Sequence, residues 1–347
     1  MIEEVPLQSV RFTNTLDGGE FRATLSLDQT GLDNQQIVDA TIPGRCYVIA
    51  ESDSRVWWGG LMWSRTYQSQ AKVVQLYAKT LDQYPTKRLV MSDTTFNFTG
   101  RRNIMRYLWL EMMEDPNSIR ISIPPLFDNG DLQVPFSWQA SENKTYRSIM
   151  DQLAGADGGF EWTIDWARLG NVYGKALRIG QPLGQPEGPA NVVFEYPGNI
   201  LNYWRNDTIG SGGTNVFGIG AGEGESMPLV EVVHQDLLDN GFPRLDGVVS
   251  FKDVTTVDAL EHLTVKQAAI LKVPQPIYTV QMKADREPAF GDWALGDWCR
   301  LVIKDPLHPA PGTTYSTRIL GWDYHPSQSD GTDEVQLMFQ GDESADG

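Results

Sequence analysis

Residues 44–76 carry four short signatures in a fixed order. Gly44-Arg45-Cys46-Tyr47-Val48-Ile49 comes first, Leu61-Met62-Trp63 second, Tyr67-Gln68-Ser69-Gln70 third and Val74-Gln75-Leu76 last. The same order returns near the other end of the chain. There it reads Asp297-Trp298-Cys299-Arg300-Leu301-Val302, then Leu320-Gly321-Trp322, then Pro326-Ser327-Gln328-Ser329, then Val335-Gln336-Leu337. Each set is strand, loop, strand, hairpin tip and strand, because apolar and polar residues alternate with period two. Upstream of each set a Gly-Gly pair, Gly18-Gly19 or Gly212-Gly213, offers a hairpin turn. Cys46 and Cys299 take matching places. Spacings differ only in loops, where insertions are tolerated. The reading is a duplication: two similar antiparallel β-barrels in one chain. Two alike barrels repeated by a threefold axis make a ring of six near-equivalent lobes.

Working outward, strands are expected over 9–15, 21–27, 45–50, 56–63 and 72–79. The period then changes. Ile104, Met105, Leu108, Trp109 and Met112 recur at helical spacing, and Pro116 ends the run. Tyr146, Ile149, Met150 and Leu153 mark a second helix over 144–153. Trp162, Ile164 and Trp166 alternate with Glu161, Thr163 and Asp165 in a strand whose partner is 175–179. A Pro/Gly-rich linker, 181–189, leads to strands at 191–196, 201–207 and 215–220. Thr255 or Thr256 caps a helix running to about residue 272. Strands over 277–283, 297–304, 315–324 and 334–339 complete the chain. The fold class is α+β, mainly β: residues 1–98 form the first barrel, and 191–224 with 276–340 the second. Residues 99–190 are an inserted α+β domain, 225–275 an inserted helical segment and 341–347 a flexible tail.

Composition narrows the function. The 347 residues hold 28 Lys+Arg against 45 Asp+Glu, a net charge of −17. Such a chain is a poor binder of phosphate backbones, which are held through counterion release by basic side chains. Anionic membrane surfaces repel it. Two cysteines exclude a disulfide scaffold and a Cys-rich zinc site, and both are expected as free, buried thiols. No apolar run spans a membrane, and the first ten residues lack the basic and apolar regions of a signal peptide.

Catalytic patterns are weak. His234, His262, His308 and His325 have no metal-ligand spacing. The run Gly218-Ile219-Gly220-Ala221-Gly222-Glu223-Gly224 lacks a following helix N-terminus and reads as a strand running into a turn. Glu161 and Asp165 bracket Trp162, as paired glycosidase acids bracket a platform, but alternation puts both on a solvated face. Exposed Trp57, Trp58 or Trp293 could stack on sugars. Catalytic, metal and cofactor residues are therefore none, and the alternatives are a cell-wall carbohydrate (receptor) binder and, behind it, a cell-wall hydrolase.

Several segments together resemble a known family. Trp58-Gly59-Gly60-Leu61-Met62-Trp63 followed by Leu76-Tyr77-Ala78 is similar to the N-terminal barrel of tail-tip hub proteins of long-tailed phages. The helix at 144–153 leading into Gly159-Phe160-Glu161-Trp162-Thr163-Ile164-Asp165 looks like their inserted domain. Gly220-Ala221-Gly222-Glu223-Gly224, Gly241-Phe242-Pro243, a helix with Leu260, Ala268 and Leu271, and Gly296-Asp297-Trp298 resemble their second half. The likeness extends to minor tail proteins of siphophages infecting actinobacteria. It implies two tube-like barrels with two inserted domains, and a homotrimer docked on the hexameric distal tail protein. It further implies tip or fibre and receptor-binding proteins below, the tape-measure protein's C-terminus in the lumen, and DNA only as passing cargo, with no membrane anchor. The expected place is the virion tail tip. Many relatives carry a hydrolase or fibre extension; this chain ends after the second barrel, so a hub without that appendage is expected. The expected interfaces are two hairpin tips, Gln68, Ser69, Gln70 and Ala71, and Ser327, Gln328, Ser329, Asp330 and Gly331. They project toward ring partners or the lumen. Lumen-facing acids would keep passing DNA from sticking.

Overall fold

The computed structural model describes residues 7–28, 34–52, 55–127, 131–155, 159–185, 192–210, 212–222, 224, 227–251, 254, 256–272, 275–327 and 331–339. Its strands are β1 (Gln8–Thr15), β2 (Glu20–Ser26), β3 (Tyr47–Ser52), β4 (Arg55–Gln68), β5 (Val73–Thr80), β6 (Thr94–Gly100), β7 (Gln133–Trp138), β8 (Glu161–Leu169) and β9 (Val172–Gly180). They continue as β10 (Val193–Tyr196), β11 (Ile200–Thr208), β12 (Asn215–Ile219), β13 (Leu229–Val233), β14 (Asp246–Ser250), β15 (Gln275–Lys283), β16 (Trp298–Asp305), β17 (His308–His325) and β18 (Glu334–Phe339). The helices are α1 (Asn34–Ala40), α2 (Arg101–Met112), α3 (Tyr146–Ala154), α4 (Gln235–Asp239) and α5 (Val257–Ile270). Two compact units divide the chain, 1–202 with 280–338 and 203–279 with 339–347.

The main sheet has the strand order β11-β15-β18-β17-β1-β2-β5-β4-β3, with β16 beside β17 and β10 beside β16. The order contains one pattern twice, β1-β2-β5-β4-β3 and β11-β15-β18-β17-β16. Backbone hydrogen bonds fix the correspondence. Gly44 N donates to Met62 O (2.8 Å) and Met62 N to Cys46 O (2.8 Å); Gly296 N donates to Ile319 O (2.9 Å) and Ile319 N to Asp297 O (3.0 Å). Gly44 and Gly296 have φ of 76° and 89°, a region glycine enters without steric cost. Leu27 N donates to Lys72 O (3.0 Å), and Ala284 N to Asp333 O (2.8 Å). Met62 thus corresponds to Ile319, and Leu27 to Ala284. By the same register Phe21, Ala23 and Leu25 correspond to Tyr278, Val280 and Met282, and Val74 and Leu76 to Val335 and Leu337. All of them are buried.

The register also corrects several expectations. Cys46 lies level with Asp297, whereas Cys299, opposite Thr317, lies level with Val48, opposite Gly60. Residues two apart in a strand share a face, so alternation cannot detect the slip. Cys46 is only half-buried, its Sγ 3.1 Å from Asp39 O, while Cys299 is fully buried. Trp63 corresponds to Leu320 rather than Trp322. The sheet is open, ending at β3 and β11 rather than closing into separate barrels among the described strands. Nor is it wholly antiparallel, since β10 runs parallel to β16. Gly212-Gly213 is not a hairpin turn, because the strand after it, β12, takes β13 and β14 as neighbours.

The predicted helices form for the expected reason. In α2, Ile104, Met105, Leu108, Trp109 and Met112 are completely buried. In α3, Thr145 caps the helix by accepting from Ser148 N (3.2 Å), and Tyr146, Ile149, Met150 and Leu153 are buried. Both helices share one core with Trp162, Ile164, Leu177 and Ile179 of the β8–β9 hairpin and with Leu61 of β4. The smaller unit is a layer of β13-β12-β14, with β14 parallel to β12, and the helix α5. Gly218 lets that layer close, since a Cβ there would lie 1.8 Å from Thr264 Oγ1 of α5.

Candidate functional site

The two repeated halves are joined by β1 and β17. Phe12, Thr13, Asn14 and Thr15 pair antiparallel with Tyr324, Asp323, Trp322 and Gly321. Phe12 stacks on Tyr324 (4.9 Å) and meets Trp322 edge-on (5.9 Å). Arg11 Nε lies 2.9 Å from both carboxylate oxygens of Asp323. The β3–β4 hairpin reinforces the join. Arg55 Nη2 donates to Gly291 O (2.7 Å), and the Trp57 ring packs on Phe290 (4.8 Å). Phe290 in turn contacts Tyr324 (4.7 Å). Burial and the Asp333 carboxylate together push the Tyr324 phenol well above its ordinary range.

The first expected interface tip lies between β4 and β5, and the described residues of the second lie between β17 and β18. Gln68, Ser69, Gln70 and Ala71 form the β4–β5 tip, and all are exposed. Lys72 closes that turn at φ 50° and lies 3.4 Å from Asp28. At the β17–β18 end, Ser327 N donates to Asp333 Oδ1 (2.7 Å), and Gly331 is exposed. Gln328, Ser329 and Asp330 lie outside the described residues. The described residues that flank the two tips correspond, Lys72 matching Asp333 through the bonds at Leu27 and Ala284.

Sequence reasoning missed a second surface, the outer edge of β4 beyond its pairing with β3. The β3 ladder ends near Met62, and β4 continues through Gln68 against β5 alone. In the matching part of β17, Gly321, Trp322 and Asp323 are buried beneath β1. On β4 the corresponding Ser64 and Thr66 are exposed, as is Tyr67. The available signal was Ser64-Arg65-Thr66-Tyr67-Gln68, a strand continuation with no apolar alternation.

A groove of 1520 Å³ follows β3 and is lined in part by Leu7, Val10, Val48, Tyr47, Trp166 and Lys175. Lys175 Nζ sits 4.5 Å from the Tyr47 ring and 5.6 Å from that of Trp166, and burial lowers its pKa.

The candidate catalytic groups are engaged structurally. Arg318 clamps Glu161 with Nη1–Oε1 at 3.0 Å and Nη2–Oε2 at 2.7 Å, and Leu183 N donates to Oε2 (2.9 Å). Burial raises the Glu161 pKa, but the Arg318 hydrogen bonds, Leu183 N–H and Arg318 charge outweigh it and hold the group below its ordinary value. Asp165 accepts from Arg178 Nε (2.7 Å). Trp58 and Trp293 are buried, contrary to the expectation of exposed platforms, and donate to Thr13 O (2.9 Å) and Pro288 O (3.3 Å). Trp57 is covered by Arg55 (4.4 Å) and Phe290. In the glycine run, Gly220 N and Ala221 N already bond Pro228 O (2.8 Å) and Val254 O (2.7 Å).

Solved structures share this arrangement over nearly the whole chain. A tail protein from Neisseria meningitidis MC58 aligns with a TM-score of 0.63 at 10% identity, covering 97% of this chain and 92% of that one. The fold is that of phage tail proteins. A 43 kDa tail protein of prophage MuSo2 from Shewanella oneidensis aligns at TM-score 0.61 and 11% identity, covering 97% and 98% of the two chains. The tail-protein fold extends to the E. coli c3393 protein, a type VI secretion component with structural similarity to the T4 tail proteins gp27 and gp5. That alignment has a TM-score of 0.52 at 7% identity, over 99% of this chain and 76% of the other. At these identities the likeness is one of fold. No family model and no curated protein matches the chain.

Proposed function

We propose that this chain is a structural virion protein, the central hub at the tail tip of a siphophage. Three copies form a ring of six similar lobes, adapting a sixfold tail to a threefold tip. The observation that carries this reading is the twice-used strand pattern, matched by backbone hydrogen bonds at Gly44 and Gly296 and at Leu27 and Ala284. One chain then supplies two near-equivalent lobes, and a threefold axis makes six. The tail-protein fold supports the setting. In this scheme residues 1–98, and 191–224 with 276–340, are the hub lobes; 99–190 and 225–275 are inserted domains, and 341–347 a tail.

The partners are the hexameric distal tail protein above and tip, fibre or receptor-binding proteins below. The tape-measure protein's C-terminus occupies the lumen, and DNA is passing cargo. The tips Gln68–Ala71 and Ser327–Gly331 contact ring partners or the lumen. The net charge of −17 favours a channel to which DNA does not adhere. The test is the native mass of the purified chain, alone and with the distal tail protein, with symmetry from electron-microscope class averages. Threefold rings with six similar lobes are expected. A stable monomer that binds cell-wall glycan tightly refutes the hub.

A further inference from the structure

Between β3 and the β8–β9 hairpin, the 1520 Å³ groove forms a cleft whose residues all belong to the larger unit. Across the hairpin Trp166 pairs with Lys175 and Arg168 with Tyr173. Residues two apart in a strand share a face, so these four side chains project together. They meet β3 at two points. Trp166 contacts Tyr47 edge-on (5.5 Å), and Arg168 Nη1 donates to Glu51 Oε1 (2.7 Å). Gly59 of β4 makes room for the indole, since a Cβ there would lie 2.5 Å from the Trp166 ring. The backbone behind the cleft is pinned as well, Ser122 N donating to Lys175 O (2.7 Å) and Leu177 N to Ser122 O (2.9 Å). The side chains are therefore held in place before any ligand arrives.

Lys175 is the group that this packing leaves uncompensated. Its ammonium lies against the Tyr47 and Trp166 rings, half-buried, and no carboxylate pairs with it among the described residues. Of the acids that line the groove, Glu51 is paired with Arg168, Asp333 accepts from Tyr324 and Ser327, and Asp39 forms no ion pair with Lys175. In a chain with 45 acids and 28 bases, a half-buried ammonium without a carboxylate lacks a partner that an outside anion would supply. A single ammonium balances a single carboxylate, whereas a phosphate calls for several donors. The Tyr47 ring, 40% exposed, and the Tyr173 ring offer electron-rich faces to the C–H faces of pyranose rings. Beside them the Glu51–Arg168 pair presents planar donors and acceptors for hydroxyls. The groove exceeds the roughly 300–1,000 Å³ usual for one small ligand, so it has room for several sugar rings.

We propose that this cleft binds an acidic oligosaccharide, one that carries carboxylates. Lys175 takes a carboxylate, Tyr47 and Tyr173 stack on sugar rings, and Glu51 and Arg168 bond hydroxyls. The site goes beyond the hub reading and does not rest on it.

The test is calorimetric titration of the full chain, in the oligomeric state it holds, with tetragalacturonate and with the same oligomer methyl-esterified. Binding of the acid form alone is expected, and it should weaken as salt rises. Lys175→Met should raise the Kd at least about tenfold, and Lys175→Arg, which keeps the charge, by less than about threefold. The urea unfolding midpoints of both variants should match the parent's. Reductive methylation mapped by mass spectrometry needs no substitution: tetragalacturonate should protect Lys175 and its ester should not. Equal affinity for acid and ester, or a Lys175 that stays unprotected, overturns the site. Hexaglutamate that binds more tightly than tetragalacturonate overturns the saccharide assignment. Six-lobed rings that bind no tetragalacturonate overturn the cleft and leave the hub reading intact. A stable monomer that binds it through Lys175 upholds the cleft and counts against the hub.

Discussion

Glu161 and Arg318 are separated by 157 positions and tie the β8–β9 hairpin to β17. Arg318 exposes 12% of its side chain and Glu161 28%. Breaking a fully buried pair costs about 3–5 kcal/mol, and losing an exposed one about 0.2–1 kcal/mol. This pair stands between those limits. Arg318→Met strands a half-buried carboxylate with Leu183 N–H as its remaining donor, and should cost about 2 kcal/mol. Glu161→Gln still accepts from Leu183 N and should cost about 1 kcal/mol. For a unit of this size the urea slope is roughly 3 kcal/mol per molar, so Arg318→Met lowers the midpoint by about 0.7 M. The double variant Glu161→Leu/Arg318→Met removes both charges and should recover part of the loss. The sign with pH follows from the lowered Glu161 pKa. Its stabilisation is complete above the ordinary value of 4.5 and disappears as pH falls through the folded value. The parent's advantage over Glu161→Gln should therefore hold from pH 7 to about pH 5 and shrink below. The assay is urea denaturation followed by tryptophan fluorescence at a series of pH values. An Arg318→Met chain as stable as the parent at pH 7, or an advantage that grows on acidification, refutes the reasoning.

Three further outcomes follow from the packing. Trp109 is fully buried and its Nε1 has no hydrogen-bond partner, so Trp109→Ala should cost about 3–5 kcal/mol and Trp109→Phe under about 2 kcal/mol, read by thermal denaturation. Gly218→Ala forces a Cβ against Thr264 Oγ1 and should destabilise the smaller unit by about 1–3 kcal/mol; Thr264→Ala should partly restore it, as measured by hydrogen exchange in α5 and β12. With an aromatic disulfide reagent, the native chain should show one reactive thiol, half-buried Cys46. Cys299 is buried and its pKa is raised by that burial and by Asp297, so it should react only after unfolding.

The legible parts of the sequence were those governed by local periodicity. The buried face of α2 is the set spaced three and four apart from Ile104 to Met112, because 3.6 residues per turn place those side chains on one stripe. Strands β2, β5 and β8 likewise bury the alternating residues expected. Smaller elements escaped notice. α1 has seven residues without a long apolar repeat, and β6 and β7 pair across the whole of α2, a separation that no turn signal spans. The exposure of single tryptophans was not legible either. Trp58 is buried against Phe21, and its Nε1 donates to the Thr13 carbonyl, a partner 45 positions away.

The sequence alone determined that two similar strand patterns exist, that helices α2 and α3 interrupt them and that acidic charge predominates. Those properties are additive along the chain. It could not determine where one pattern lies against the other. Alternation is unchanged by a shift of two residues, so Cys46 and Cys299 looked aligned when they are not. Which strand edge is covered and which stays open depends on hydrogen bonds between segments hundreds of residues apart. Only the tertiary structure decided that β17 is paired with β1 while the matching part of β4 has β5 as its one strand neighbour among the described strands.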